Sequence, residues 1–302
     1  MKLFFGILSV MLLFIINCSE TKETSSTSTS KITESTQSEF YQYLSKVKLP
    51  DKLSFCGESV PLDIEEVHER AEREFYMMLQ QPGQIILYIK RAGRYFPMFE
   101  KILKQQVAPD DLKYLSVAES ALYMARSSKD AVGLWQFMPA TAKSMGLIVT
   151  ESVDERRNPE KSTKAAIKYL KQGYDSQKSW MLAAAGYNMG HENLKDNVSF
   201  QNSKDFFELF LNEETSRYIL RIAIIKELME NAAKYGIEIP KEDLYKPDNF
   251  KTVKVDGAIG SIADWAKDHG TTYKYVKLLN PWILKRELPA PPKGSEWEIA
   301  VP

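Results

Sequence analysis

Ser116-Val117-Ala118-Glu119-Ser120 and, after a short spacer, Gly133-Leu134-Trp135-Gln136-Phe137-Met138-Pro139 decide how this chain is read. Leu112, Leu115, Ala118 and Leu122 recur at helical spacing, and Pro109-Asp110-Asp111 opens that helix with acids at its positive end. Glu119 follows Ala118, so it lies beside the apolar stripe rather than opposite it. A carboxylic acid near apolar and aromatic walls loses solvation of its charged form. Its pKa rises, and it can hold a proton near neutral pH.

Working outward, the chain has 302 residues, enough for one or two domains and a real core. Lys plus Arg number 40, and Asp plus Glu also 40. That balance argues against nucleic acid as a partner, which requires a basic surface. His68, His191 and His269 share no ligand spacing, and there is no cysteine cluster or phosphate-binding glycine loop, so neither a metal nor a cofactor is expected. Lys2 precedes an almost wholly apolar run, Leu3 to Ile16, too short for the roughly 20 residues of a membrane span. Phe14-Ile15-Ile16-Asn17-Cys18 resembles a bacterial lipoprotein cleavage box with Cys18 as the lipidated residue, although Asn17 replaces the usual small residue. Ser19 to Gln37 is rich in Ser, Thr, Glu and Lys and reads as a flexible tether. With Cys18 acylated, Cys56 has no partner and reads as a buried, unreactive thiol.

Asp63 with Glu66 resembles a capping box opening a helix, whose apolar stripe includes Ile64 and His68, the latter expected to be packed. Ile85 to Tyr95 and Met98 to Gln105 read as two helices broken near Pro97. Further helices are expected at 141–145, 163–172, 180–187 and 213–235, with Gly236 ending the last. No strand-rich stretch is expected before residue 250. After it, Thr252-Val253-Lys254-Val255 and Trp297-Glu298-Ile299-Ala300-Val301 alternate like half-buried strands. Between them, Ser261–His269 and Thr272–Leu279 read as short helices followed by Asn280-Pro281.

From Arg91 to Pro240 the pattern resembles the lysozyme-like soluble lytic transglycosylase domain of the membrane-bound D type. The resemblance rests on Glu119-Ser120, Ala125-Arg126-Ser127-Ser128, Gly133 to Thr141, Val153-Asp154-Glu155-Arg156-Arg157-Asn158-Pro159, Tyr187-Asn188 and Glu214 to Tyr218, in the family's order. The last fifty residues resemble a LysM module. The expected fold class is therefore mainly α: a lysozyme-like helical catalytic domain plus a small βααβ module. The expected layout is a lipoprotein signal peptide at 1–17, a tether at 18–50, the catalytic domain at 51–246 with its core at 91–240, and the glycan-binding module at 250–302.

The resemblance implies cleavage of the bond between N-acetylmuramic acid and N-acetylglucosamine in peptidoglycan strands, with a 1,6-anhydro product. Glu119 acts as acid and then base. It implies substrate contacts from Ser127, Gln136, Met138, Tyr187, Asn188, Glu214 and Tyr218, with the Tyr187 hydroxyl near the catalytic carboxylate. The expected setting is a bacterial membrane, the outer one, with the enzyme held by its lipid and facing the periplasm. Two rivals remain: a hydrolytic muramidase, which needs a second carboxylate that the sequence does not place well, and a non-catalytic wall-binding protein. Departures from the family pattern are a Glu119–Gly133 stretch one residue short and Asp130 in place of a glycine, which predict a reshaped loop. Gly186 and Met189 also replace alanines, and His191-Glu192-Asn193 replaces a glycine-rich continuation. Asp154-Glu155-Arg156-Arg157 reads as a salt-bridged turn into the Asn158-Pro159 helix start.

Overall fold

The computed structural model describes residues 38–302, so the signal peptide, Cys18 and the tether up to residue 37 lie outside the described residues. The chain divides into one unit ending at Val47 and a second running Lys48–Pro302. The first contains a helix, α1, over 38–46. The tether expected to reach residue 50 thus carries a helix, and the second unit has begun by Lys48, with Leu49 buried.

The second unit opens with a small antiparallel hairpin, β1 (Ser54–Phe55) and β2 (Glu58–Ser59). Cys56 and Gly57 turn it with φ of 52° and 83°, the left-handed pair a two-residue hairpin requires. Cys56 is only part-buried, and its backbone N–H donates to Asp111 Oδ2 at 2.7 Å.

Helix α2 (Glu65–Leu79) starts without the expected capping box. Ile64 occupies the cap position, and the Glu66 carboxylate is taken by Arg70 one turn on, at 2.7 Å. His68 is not packed either; it sits partly exposed, 3.7 Å from Glu72. Helix α3 (Pro82–Gln105) runs unbroken through Pro97, where two helices were expected. Its inner face, including Tyr88, Ala92, Phe99, Ile102 and Leu103, is buried along both halves. Burial on that scale outweighs the roughly 3 kcal/mol cost of an internal proline. Gly93, four residues before Pro97, carries no side chain where the 244–245 segment crosses; a Cβ there would come within 2.8 Å of the Tyr245 carbonyl oxygen.

A short 3-10 turn (Asp110–Leu112) leads into α4 (Lys113–Ser120). Then follow α5 (Pro139–Ser144), α6 (Pro159–Gln177), α7 (Trp180–Met189), α8 (His191–Gln201) and α9 (Glu213–Glu230). Helix α7 is buried from Met181 to Gly186 on every side, so it is the central helix against which α6, α8 and α9 pack. Helix α9 buries Tyr218 to Leu220 and Ile222 to Ile225. The chain leaves it through a 3-10 turn closed by Gly236 at φ 71°.

The C-terminal segment is βααβ: β3 (Lys251–Val255), α10 (Ile262–Asp268), α11 (Tyr273–Leu279) and β4 (Trp297–Val301). β3 and β4 pair antiparallel with Val253 opposite Ile299. Ser261 and Thr272 cap the two helices by accepting from the backbone N–H of Asp264 and Tyr275. Asn280 is buried and fully paired: it donates to the carbonyls of Val276 and Ala300 and accepts from the Ala300 N–H. The module's apolar core of Ile262, Val276, Trp282, Ile283, Leu288, Trp297 and Ile299 also contains Val153, from the loop preceding α6.

Candidate active site

Glu119 is the penultimate residue of α4. The buried face of that helix carries Ser116 and Ser120, whose hydroxyls both donate to the Leu134 carbonyl, at 2.9 and 2.8 Å. The acid-bearing helix and the Gly133–Pro139 loop are thereby locked together. The helix stops because Ala121 and Leu122 both turn left-handed (φ 56° and 54°), and Arg91 holds the Ala121 carbonyl at 2.9 Å.

The loop from Ala125 to Phe137 folds back on itself through the bridges Arg126–Val132 and Val132–Phe137. Asp130, which stands where the family pattern has a glycine, adopts a left-handed angle (φ 65°). Strain of that order, about 1 kcal/mol, is offset by Arg126 at 2.9 Å from its carboxylate and by Arg156 Nη1 donating to its carbonyl at 2.7 Å. The Asp154–Arg157 turn is salt-bridged as expected, with Arg156 on Asp154 at 2.8 Å, and Asn158 caps α6 by accepting from the Lys161 N–H.

Glu119, Ser127, Gln136, Met138, Tyr187, Asn188 and Glu214 line one cavity of about 620 Å³. Tyr218 is buried behind it and donates its hydroxyl to Glu119 Oε1. The Tyr187 hydroxyl lies within reach of the Glu119 charge and donates to the Trp135 carbonyl at 2.7 Å. The phenol that holds the carboxylate is Tyr218, from α9. Gln136 spends its amide nitrogen on the Gly133 and Ala125 carbonyls, at 2.8 and 3.3 Å. Ser127 Oγ accepts from the Ala131 N–H at 3.0 Å. Asn188 donates to Glu214 Oε1 at 3.2 Å and accepts from the Thr215 hydroxyl at 2.7 Å.

Burial pushes the Glu119 carboxyl from its ordinary 4.5 up to about 7. The Tyr218 hydroxyl bond opposes the rise, Glu214 adds to it and Arg221 opposes it. Burial and the Glu119 charge hold the Tyr187 and Tyr218 phenols well above their usual value, so both stay neutral donors. Glu214 also bears on the expectation that no second carboxylate is well placed, since it lines the same cavity as Glu119. The cavity runs on into a second groove of about 470 Å³, which shares Asn188, Met189 and Glu214 and adds Asn193, Asp196, Asn197 and Asn212.

One cavity residue escaped the sequence reading. Tyr169, on α6, lines the cavity and packs against Tyr187 at 5.6 Å between ring centroids. No motif marks it. His191 packs on the far side of Tyr169 at 4.1 Å, its Nε2 3.0 Å from the Tyr169 carbonyl oxygen. A Cβ added at Gly186 would overlap the His191 ring. The two departures from the family pattern, glycine at 186 and histidine at 191, are thus one packing exchange.

Residues 96–210 match the Transglycosylase SLT domain model, and residues 251–302 match the Soluble lytic transglycosylase C-terminal LysM-like domain. Glu119 through Asn188 fall inside the first match; Glu214 and Tyr218 lie just beyond it. The chain is 29% identical over 201 residues to membrane-bound lytic murein transglycosylase D of Escherichia coli K12, and equally to that of Escherichia coli O6:H1. The alignment covers 64% of this chain and 44% of each relative, so the chain spans less than half the length of the curated relatives it matches.

Proposed function

Starting from a chain that carries an SLT domain and a LysM-like domain and is homologous to these murein transglycosylases, we propose that it is a lytic transglycosylase of peptidoglycan. It cleaves the β-1,4 bond between N-acetylmuramic acid and N-acetylglucosamine. The observation that carries this reading is Glu119, facing the cavity with its pKa raised to about 7. At that value both its acid and base forms are accessible near neutral pH.

Protonated Glu119 gives its proton to the glycosidic oxygen as the C1–O bond breaks. The C6 hydroxyl of the same muramoyl residue then bonds to C1, and the Glu119 carboxylate takes the hydroxyl proton. The product is a 1,6-anhydro sugar, no water is consumed, and the enzyme regains its starting form. The Tyr218 hydroxyl on Oε1 leaves Oε2 for the substrate. Neutral Tyr187 and the Asn188–Glu214 pair are the polar walls suited to hydroxyl and acetamide groups.

Glu214 in the same cavity supports a second reading, hydrolysis with this carboxylate activating water. The transglycosylase reading is preferred on homology. The proposed layout keeps residues 51–246 as the catalytic domain and 250–302 as the module, with Cys18 acylated on a bacterial membrane and the body facing the periplasm. The apolar run Leu3 to Ile16, followed by Asn17-Cys18, supports the anchor. Among the described residues, no helix is long and apolar enough to cross a membrane. Release of soluble fragments from purified cell wall tests the assignment. Activity abolished by Glu119→Gln supports it, and unchanged activity contradicts it.

A further inference from the structure

We propose that the C-terminal module is a working part of the active site, setting the backbone of the cleft loop through Arg156. The inference rests on the reading of the cleft as catalytic.

The module is joined to the body by a strand-like seam. Val153 pairs with Ile283, the Asp154 N–H donates to the Trp282 carbonyl at 2.9 Å, and the Leu284 N–H donates to the Ser152 carbonyl at 2.9 Å. Val153 is 1% exposed and belongs to the module's own apolar core. A module serving only to hold glycan at a distance needs a flexible linker and no shared core. Here the backbone of 152–154 is fixed by the module.

Asp154 passes that constraint on. Its carboxylate grips Arg156 with both oxygens, at 2.8 Å to Nε and 2.9 Å to Nη2, and both side chains are buried. The remaining terminal nitrogen, Nη1, donates to the Asp130 carbonyl at 2.7 Å and the Phe137 carbonyl at 3.1 Å. One guanidinium therefore ties both ends of the segment that carries Gln136. That segment is strained, with Asp130 at φ 65° and Gln136 at φ 47°. Such angles persist only where surrounding contacts over-determine them. Gly133 lies directly on the Arg156 backbone, where an added Cβ would overlap the carbonyl oxygen. Arg156 is accordingly a positioning residue: the cleft loop is clamped from behind by the element on which the module docks.

The test uses the full chain with two substitutions. Arg156→Lys keeps the charge but loses the fork that reaches four acceptors. Leu284→Pro removes the seam N–H. Should Leu284→Pro fail to fold, Val153→Ala trims the shared core residue without altering the backbone. Three quantities are read: kcat and KM on a short soluble glycan fragment, KM on long glycan strands, and hydrogen exchange of the Val132 and Phe137 amides. Both substitutions are expected to lower kcat about tenfold or more, with KM within about twofold, because sub-ångström misplacement acts on the chemical step. Both are expected to speed exchange at Val132 and Phe137 to a similar degree. Tyr275→Ala and Leu278→Ala, on the exposed face of α11, are expected to change neither. The proposal is overturned if the seam substitution leaves kcat and exchange at wild-type levels. It is equally overturned if that substitution raises KM on long strands alone, the signature of a module that only grips glycan. Exchange is measured without turnover, so failure of the catalytic assignment is distinguishable from failure of the clamp.

Discussion

Replacing the Glu119 carboxylate should make the protein more stable, and only at higher pH. The Glu119 carboxyl rises from an ordinary 4.5 to about 7 in the folded chain, chiefly through burial. Between those values the unfolded chain has released the proton while the folded chain keeps it. The folded state therefore binds more protons, and stability falls as pH rises. The contribution is fully present below pH 4.5 and lost as pH rises through about 7. At about 1.4 kcal/mol per unit, the loss is roughly 3 kcal/mol, a ceiling because the carboxyl faces an open cavity. Glu119→Gln is neutral at every pH, nearly isosteric, and keeps an oxygen to accept from Tyr218. Its stability relative to wild type should be near zero at about pH 4 and reach roughly 3 kcal/mol at about pH 8, a Tm difference of about 6–12 °C. Thermal or urea unfolding of both proteins across that range is the assay. Curves that stay parallel would refute the claim that Glu119 is protonated by its surroundings.

Tyr218→Phe removes the hydroxyl that favours the charged carboxylate, so Glu119 should titrate higher. The alkaline limb of the pH–activity profile should move to higher pH; a shift to lower pH contradicts the contact. Gly133→Ala places a methyl on the Arg156 carbonyl at a φ of 89°, and should cost about 3 kcal/mol or more in urea unfolding. Gly186→Ala alone should destabilise by about 1–3 kcal/mol, through overlap with the His191 ring. Adding His191→Ala should recover part of that loss, so a double-mutant cycle should give coupling of about 1 kcal/mol; additive effects would exclude the packing exchange.

The parts of this molecule legible in its sequence are those written locally. Glu119 beside an apolar stripe, the Gly133–Pro139 loop, the Asp154–Asn158 turn and the βααβ alternation each occupy a few consecutive residues whose chemistry determines their geometry. What could not be read depends on contacts between distant segments. Tyr187 and Tyr218 are both buried phenols near the cleft, and which one reaches Glu119 depends on how α9 crosses α4, 99 residues along the chain. Glu214 enters the cavity by the same crossing. Pro97 was expected to break α3 because its local cost is visible, while the burial that outweighs it is not. Asp130 holds a left-handed backbone angle with its carbonyl tied to Arg156, 26 residues away. Val153 gives no local sign that it belongs to the core of a module whose first strand begins at Lys251.

The most direct test of the central claim is mass spectrometry of the soluble products released from purified peptidoglycan, with wild type and Glu119→Gln side by side. The account predicts fragments ending in 1,6-anhydro-N-acetylmuramic acid from wild type and none from the variant. Fragments with reducing muramic acid ends would contradict it and make Glu214 the base of a hydrolase.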